Sequence, residues 1–80
     1  NFLYFLNQLK INNFAVNKIK NFYYFQIGRW DLQLLDNKII KFPHEDIENI
    51  IKKSVELLSR KDFENYNIID LRVADKIIVE

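Results

Sequence analysis

One short segment limits the folds open to this chain more than any other. Gly28-Arg29-Trp30-Asp31-Leu32-Gln33-Leu34 alternates apolar and polar side chains with a period of two. Trp30, Leu32 and Leu34 therefore fall on one side of an extended strand, with Asp31 and Gln33 on the other. The pattern returns in Ile69-Asp70-Leu71-Arg72-Val73, where Ile69, Leu71 and Val73 face one way and Asp70 and Arg72 the other. Two half-buried strands with an amphipathic helix between them define an α+β domain whose sheet is covered on one face. Eighty residues are enough for one such domain, residues 1–80, and 49% hydrophobic residues can give it a core.

The rest of the chain fits around those strands. Phe2 to Lys10 reads as a short helix with Phe2, Phe5, Leu6 and Leu9 on one broad face; the Asn12-Asn13 pair ends it. Phe14 to Gln26 is rich in aromatic and β-branched residues and reads as a strand. Its alternation fails around Asn17–Asn21, which predicts a bulge or break there, with a helical start over Ala15–Lys20 as the alternative. Gly28, the only glycine, marks a turn before the next strand.

Arg29–Leu35 and Lys38–Phe42 form a hairpin whose register can be argued. A two-residue turn at Asp36-Asn37 would put Ile40 and Phe42 on the wrong face. A three-residue turn at Asp36-Asn37-Lys38 opposes Leu34 to Ile40 and Leu32 to Phe42, keeping the large apolar residues together. It asks for a left-handed residue at Asn37 or Lys38. Pro43 then ends the strand and opens the main helix, expected over Pro43–Arg60. His44, Glu45, Asp46 and Glu48 bring negative charge to its start, and Lys52, Lys53, Arg60 and Lys61 bring positive charge toward its end. Ile47, Ile50, Ile51, Val55, Leu57 and Leu58 make its buried stripe.

Asp62–Asn67 is a linker with room for one helical turn, and a final strand runs from Ile68 toward Val79 with Asp75 as a bulge. The expected architecture is a mostly antiparallel sheet of three to four strands with two helices, in the order α-β-β-β-α-β. Its core is Trp30, Leu32, Leu34, Ile40, Phe42, Ile47, Ile51, Leu58, Ile69 and Leu71.

Chemistry-bearing clusters are scarce. Without cysteine there are no disulfides or thiolate metal sites. His44-Glu45-Asp46 is the one local set with metal-binding or acid–base residue types. Consecutive helical residues point about 100° apart, so these are read as a solvated helix start. Asp70 and Arg72 have no nucleophile or second carboxylate beside them and are read as a cross-strand ion pair. A single glycine cannot build a phosphate loop. The expectation is a non-enzyme without metal or cofactor. The formal net charge of +1 gives no overall field favouring nucleic acid. An alternative is a small nucleic-acid-binding module using Tyr23, Tyr24 and Trp30 with Lys18, Lys20 and Arg29. No apolar run approaches the ~20 residues of a membrane span. A chain that starts at Asn1 and holds no methionine reads as a segment of a longer protein, whose anchor would lie outside it.

Gly-Arg-Trp-Asp-Leu-x-Leu, a turn, an apolar strand ending in Phe42-Pro43 followed by acids, an amphipathic helix, then Ile69-Asp70-Leu71-Arg72 and an apolar strand resembles the bacterial cell-division protein family FtsQ (DivIB). The likeness is greatest to the alphaproteobacterial versions. Phe42-Pro43-His44-Glu45 stands for their Leu-Pro-Glu helix start, and Asn37-Lys38 replaces their Asn-Gly turn. The resemblance covers most of residues 3–80 and rests on order and spacing together. It implies the C-terminal part of a periplasmic β-domain, without that domain's first strands, in a single-span inner-membrane protein that also carries a POTRA domain. It implies a divisome scaffold that binds FtsB- and FtsL-like proteins during septum assembly through the edge of its last strand. Mapped here, that surface is Arg72, Val73, Ala74, Asp75, Lys76, Ile77, Ile78 and Val79, assisted by Arg29.

Overall fold

The computed structural model describes residues 1–80. Two helices, α1 (Phe2–Ile11) and α2 (Ile47–Leu58), accompany a five-stranded mixed sheet of β1 (Ile19–Phe25), β2 (Arg29–Leu34), β3 (Ile39–Lys41), β4 (Ile68–Asp70) and β5 (Ile78–Val79). The strands lie side by side in chain order. All neighbours are antiparallel except β3 and β4, which α2 connects as a parallel crossover. The α+β class and the two helices are as expected. The sheet has a fifth strand because the expected last strand breaks in two.

Asn1 caps α1 by accepting a bond from the Tyr4 N–H, and the left-handed Asn13 turns the chain out of it. A single 3₁₀ turn (Val16–Lys18) precedes β1, and Lys20 is an extra residue between the pairs Ile19–Leu34 and Asn21–Gln33. Both readings of this segment are thus realised in succession, a helical turn and then a bulged strand.

The β1–β2 connection is three residues long and the β2–β3 connection four, and each carries a left-handed residue: Gly28 (φ 96°) in one, Asn37 (φ 72°) in the other. In the second, the turn is Leu35-Asp36-Asn37, and Leu32 opposes Ile40 while Trp30 bonds to Phe42. The expected register is therefore displaced by two residues. Faces repeat every two residues, so the displacement keeps Trp30, Leu32, Ile40 and Phe42 on one side. The Asp36 carboxylate accepts the Lys38 N–H and fixes this turn.

Helix α2 begins four residues later than expected, at Ile47. Pro43 to Glu45 lead into a left-handed Asp46, which cannot continue a helix backward, and Asp46 accepts a bond from the Asn49 side chain. At its other end, Ser59 closes the helix, and Arg60 is extended and forks onto Asp62. Ile51, Ser54 and Leu57 are buried with Leu32, Leu34, Ile40, Phe42, Ile69 and Leu71. Phe5, Leu9 and Phe14 complete this core, a contribution of the N-terminal segment larger than the alternation in the strands indicated. Trp30, Ile47 and Leu58 lie at its margin, half-buried. Trp30 stacks on Phe5 at 5.6 Å and meets Phe2, Phe22 and Tyr24 within 6.2 Å.

Candidate functional site

The candidate partner-binding residues gather at one end of the sheet, but not as a continuous strand. After β4, the Asp70 carboxylate accepts the Arg72 N–H at 3.0 Å and the Arg72 Nε and Nη2 at 2.9 and 2.7 Å. That three-bond clasp pulls the chain out of the strand. The Lys76 N–H then bonds to the Val73 carbonyl and Asp75 turns left-handed at φ 61°. Arg72 to Ile77 thus form a loop, and only Ile78 and Val79 are in β5, running back along β4. The expectation of one strand from Ile68 to Val79 is corrected here. Apolar residues at odd positions flank the turn (Val73 and Ile77), so a periodicity argument reads Asp75 as a bulge within one strand.

The hairpin leaves a defined edge. Ile68 and Glu80 exchange both main-chain bonds, so the adjacent pair Ile69–Val79 is the non-bonded one of the antiparallel ladder. The Val79 N–H and C=O consequently point away from β4, toward open space. Ile78 projects its side chain from the uncovered sheet face and is 42% exposed. Val73 cannot offer an edge, because its carbonyl is engaged within the turn.

The uncovered face carries a row of residues brought together by register: Tyr23 beside Asp31, Asp31 beside Lys41, Lys41 beside Asp70 and Asp70 beside Ile78. Charges of opposite sign alternate along its centre. Asp31 is ion-paired to Arg29, whose guanidinium lies 4.1 Å from the centre of the Phe25 ring. Arg29, Asp31 and Asp70 are buried although no helix covers them. The Arg72 guanidinium and N–H bonds hold the Asp70 carboxyl below the usual carboxylate range against the opposing effect of burial, with Lys41 adding to the shift. The same clasp raises the Arg72 guanidinium. Lys41, at the centre of this row, was not singled out from sequence. Its position in a short apolar strand ending at Pro43 carries no signal that Asp31 and Asp70 flank it.

Arg29 meets the loop at a groove of about 750 Å³, also lined by Arg72, Ala74 and Asp75 and by the start of α2. His44, Glu45 and Asp46 rim this groove and are exposed; His44 Nε2 lies 3.6 Å from Glu45. No three or more His, Cys, Asp or Glu side chains converge to hold a metal ion. The aromatics proposed for base stacking do not share a platform. Tyr24 and Trp30 pack together on the helix-covered side, while Tyr23 is on the other face and donates its hydroxyl to Gln33. No helix is long and apolar enough to cross a membrane. No family model, curated protein or solved structure matches this chain.

Proposed function

We propose that this chain is a non-enzymatic, strand-accepting scaffold domain of the FtsQ type, which holds FtsB- and FtsL-like division proteins at the outer edge of β5. The parent protein would be anchored in the inner membrane with this domain in the periplasm. The observation that carries the reading is the outward pair of main-chain groups on Val79, at the end of a chain whose sequence segments resemble that family in order and spacing. An incoming strand satisfies such groups and gains affinity mainly from backbone bonds. The clasp of Arg72 on Asp70 supports it, because it fixes where β4 ends and where β5 must return. Arg29 is buried in an ion pair with Asp31 on β2, away from the β5 edge.

The test is a calorimetric titration with the periplasmic part of an FtsB-type protein. Val79→Pro removes an outward N–H and leaves the β4–β5 bonds standing; it should abolish binding in a folded domain. Lys76→Glu changes a side chain at the same end and should weaken binding only slightly. A folded Val79→Pro variant that binds as tightly as the parent chain refutes edge pairing here.

A further inference from the structure

The sheet has a second edge, and it is the less protected one. β1 spans seven residues with nothing paired to its outer side; Lys20 and the bulge lie at its start, and Asn21–Phe25 beyond them holds no charge, proline or bulge. Soluble proteins blunt long flat edges with such devices. Tyr24 is 54% exposed, Tyr23 45% and Phe25 39%, and the half-exposed Phe2 lies 5.0 Å from Phe22 on the helix-covered side.

We propose that this edge receives β1 of a second copy of the chain, antiparallel, across a two-fold axis at Tyr23. The division-scaffold reading concerns the opposite edge, and the proposal is made for this chain by itself, without the first strands which that reading places before it. The Gly28 N–H bonds to the Phe25 carbonyl, closing the hairpin on the pair Phe25–Arg29. Alternation from that pair directs the main-chain groups of Phe25, Tyr23 and Asn21 toward β2, and those of Phe22 and Tyr24 outward. A two-fold axis at Tyr23 sets Phe22 opposite Tyr24 of the other copy, and Tyr24 opposite its Phe22. These two pairs make four main-chain bonds.

The remaining positions are compatible with the same axis. Tyr23 meets its own symmetry mate, Asn21 meets Phe25, and Lys20 meets Gln26, so no like charges oppose each other. The net charge of +1 leaves little long-range repulsion between copies. Half-exposed aromatics leave on the order of 100 Å² each to cover, so Phe2, Tyr23, Tyr24 and Phe25 with the edge backbone give roughly 400–500 Å² per copy. That is at the low end for specific association and describes a reversible dimer, not an obligate one.

Sedimentation velocity on the 80-residue chain from micromolar to millimolar concentration should show a monomer–dimer equilibrium and nothing larger. Tyr24→Pro deletes two of the four bonds, one per copy, and should weaken the dimer about 100-fold at up to tenfold per bond. Tyr24→Lys, which keeps the backbone intact, should weaken it by setting a charge against Phe22 of the second copy. Val79→Pro, at the far edge, should leave it unchanged. Amide exchange gives a readout independent of substitution: protection of Phe22 and Tyr24 should rise with concentration, while Tyr23 is protected throughout. A monomer at millimolar concentration, a dimer indifferent to both Tyr24 variants, or open-ended assembly would each overturn the proposal.

Discussion

Replacing Trp30 by alanine probes the joint between the two halves of the core. The indole lies between α1 and β1, stacked on the buried Phe5 and in contact with Phe2, Phe22 and Tyr24. It is half-buried, so the side chain beyond Cβ hides on the order of 120–150 Å² from water. At about 25 cal/mol per Å² that is ~3–4 kcal/mol. Lost aromatic contacts add to it, and partial collapse of Phe2 and Phe22 into the space subtracts. The expected cost is therefore about 3–4 kcal/mol. A domain of this length has a total stability of about 4–12 kcal/mol, so the variant should be marginal or unfolded at 37 °C. Urea unfolding followed by far-ultraviolet circular dichroism measures this without relying on the deleted fluorophore. Trp30→Phe should lose only about 1–2 kcal/mol, since a ring remains against Phe5. A cost below ~1 kcal/mol for Trp30→Ala would show that α1 does not pack on the sheet as described. Native Trp30 emission of a fully solvated indole would show the same.

Two further predictions follow from local geometry. The Asp70 carboxyl is held below its ordinary range by Arg72, so its ionised form stabilises the fold at neutral pH. That contribution is complete above about pH 5 and is lost as pH falls through ~4 and below. Asp70→Asn should cost about 1–2 kcal/mol at pH 7, and its difference from the parent should shrink as pH falls below the ordinary carboxylate range, as read by urea titrations at falling pH. Asn37 holds φ at 72° at the close of the β2–β3 turn. Asn37→Val should cost about 1–2 kcal/mol and Asn37→Gly should be near neutral, and equal costs for the two would show that this conformation is not required.

What the sequence determined by itself was local and facial. The period-two alternation of Trp30, Leu32 and Leu34 against Asp31 and Gln33 assigns strand faces without knowledge of any partner strand. The 3.6-residue spacing of Ile47, Ile51 and Leu58 does the same for α2, and Asn37 and Gly28 mark turns because few other residues tolerate a positive φ. The candidate edge residues Ile78 and Val79 were legible to the same extent, as residues of a terminal strand.

Tertiary structure decided which strands meet, and therefore where edges lie. Ile39–Lys41 pairs in parallel with Ile68–Asp70 across the whole of α2, a choice governed by burial of Ile40 and Ile69 together and not by any pattern within either segment. The break after Asp70 was hidden for a related reason. Apart from Asp75, alternation from Ile69 to Val79 satisfies a strand, and the Asp70–Arg72 clasp and the left-handed Asp75 turn it into a hairpin. The row Asp31–Lys41–Asp70 exists only through the registers of two separate pairings. Side-chain periodicity is a property of one segment, whereas register is set by long-range contacts whose gain must exceed the entropy of closing the intervening loops.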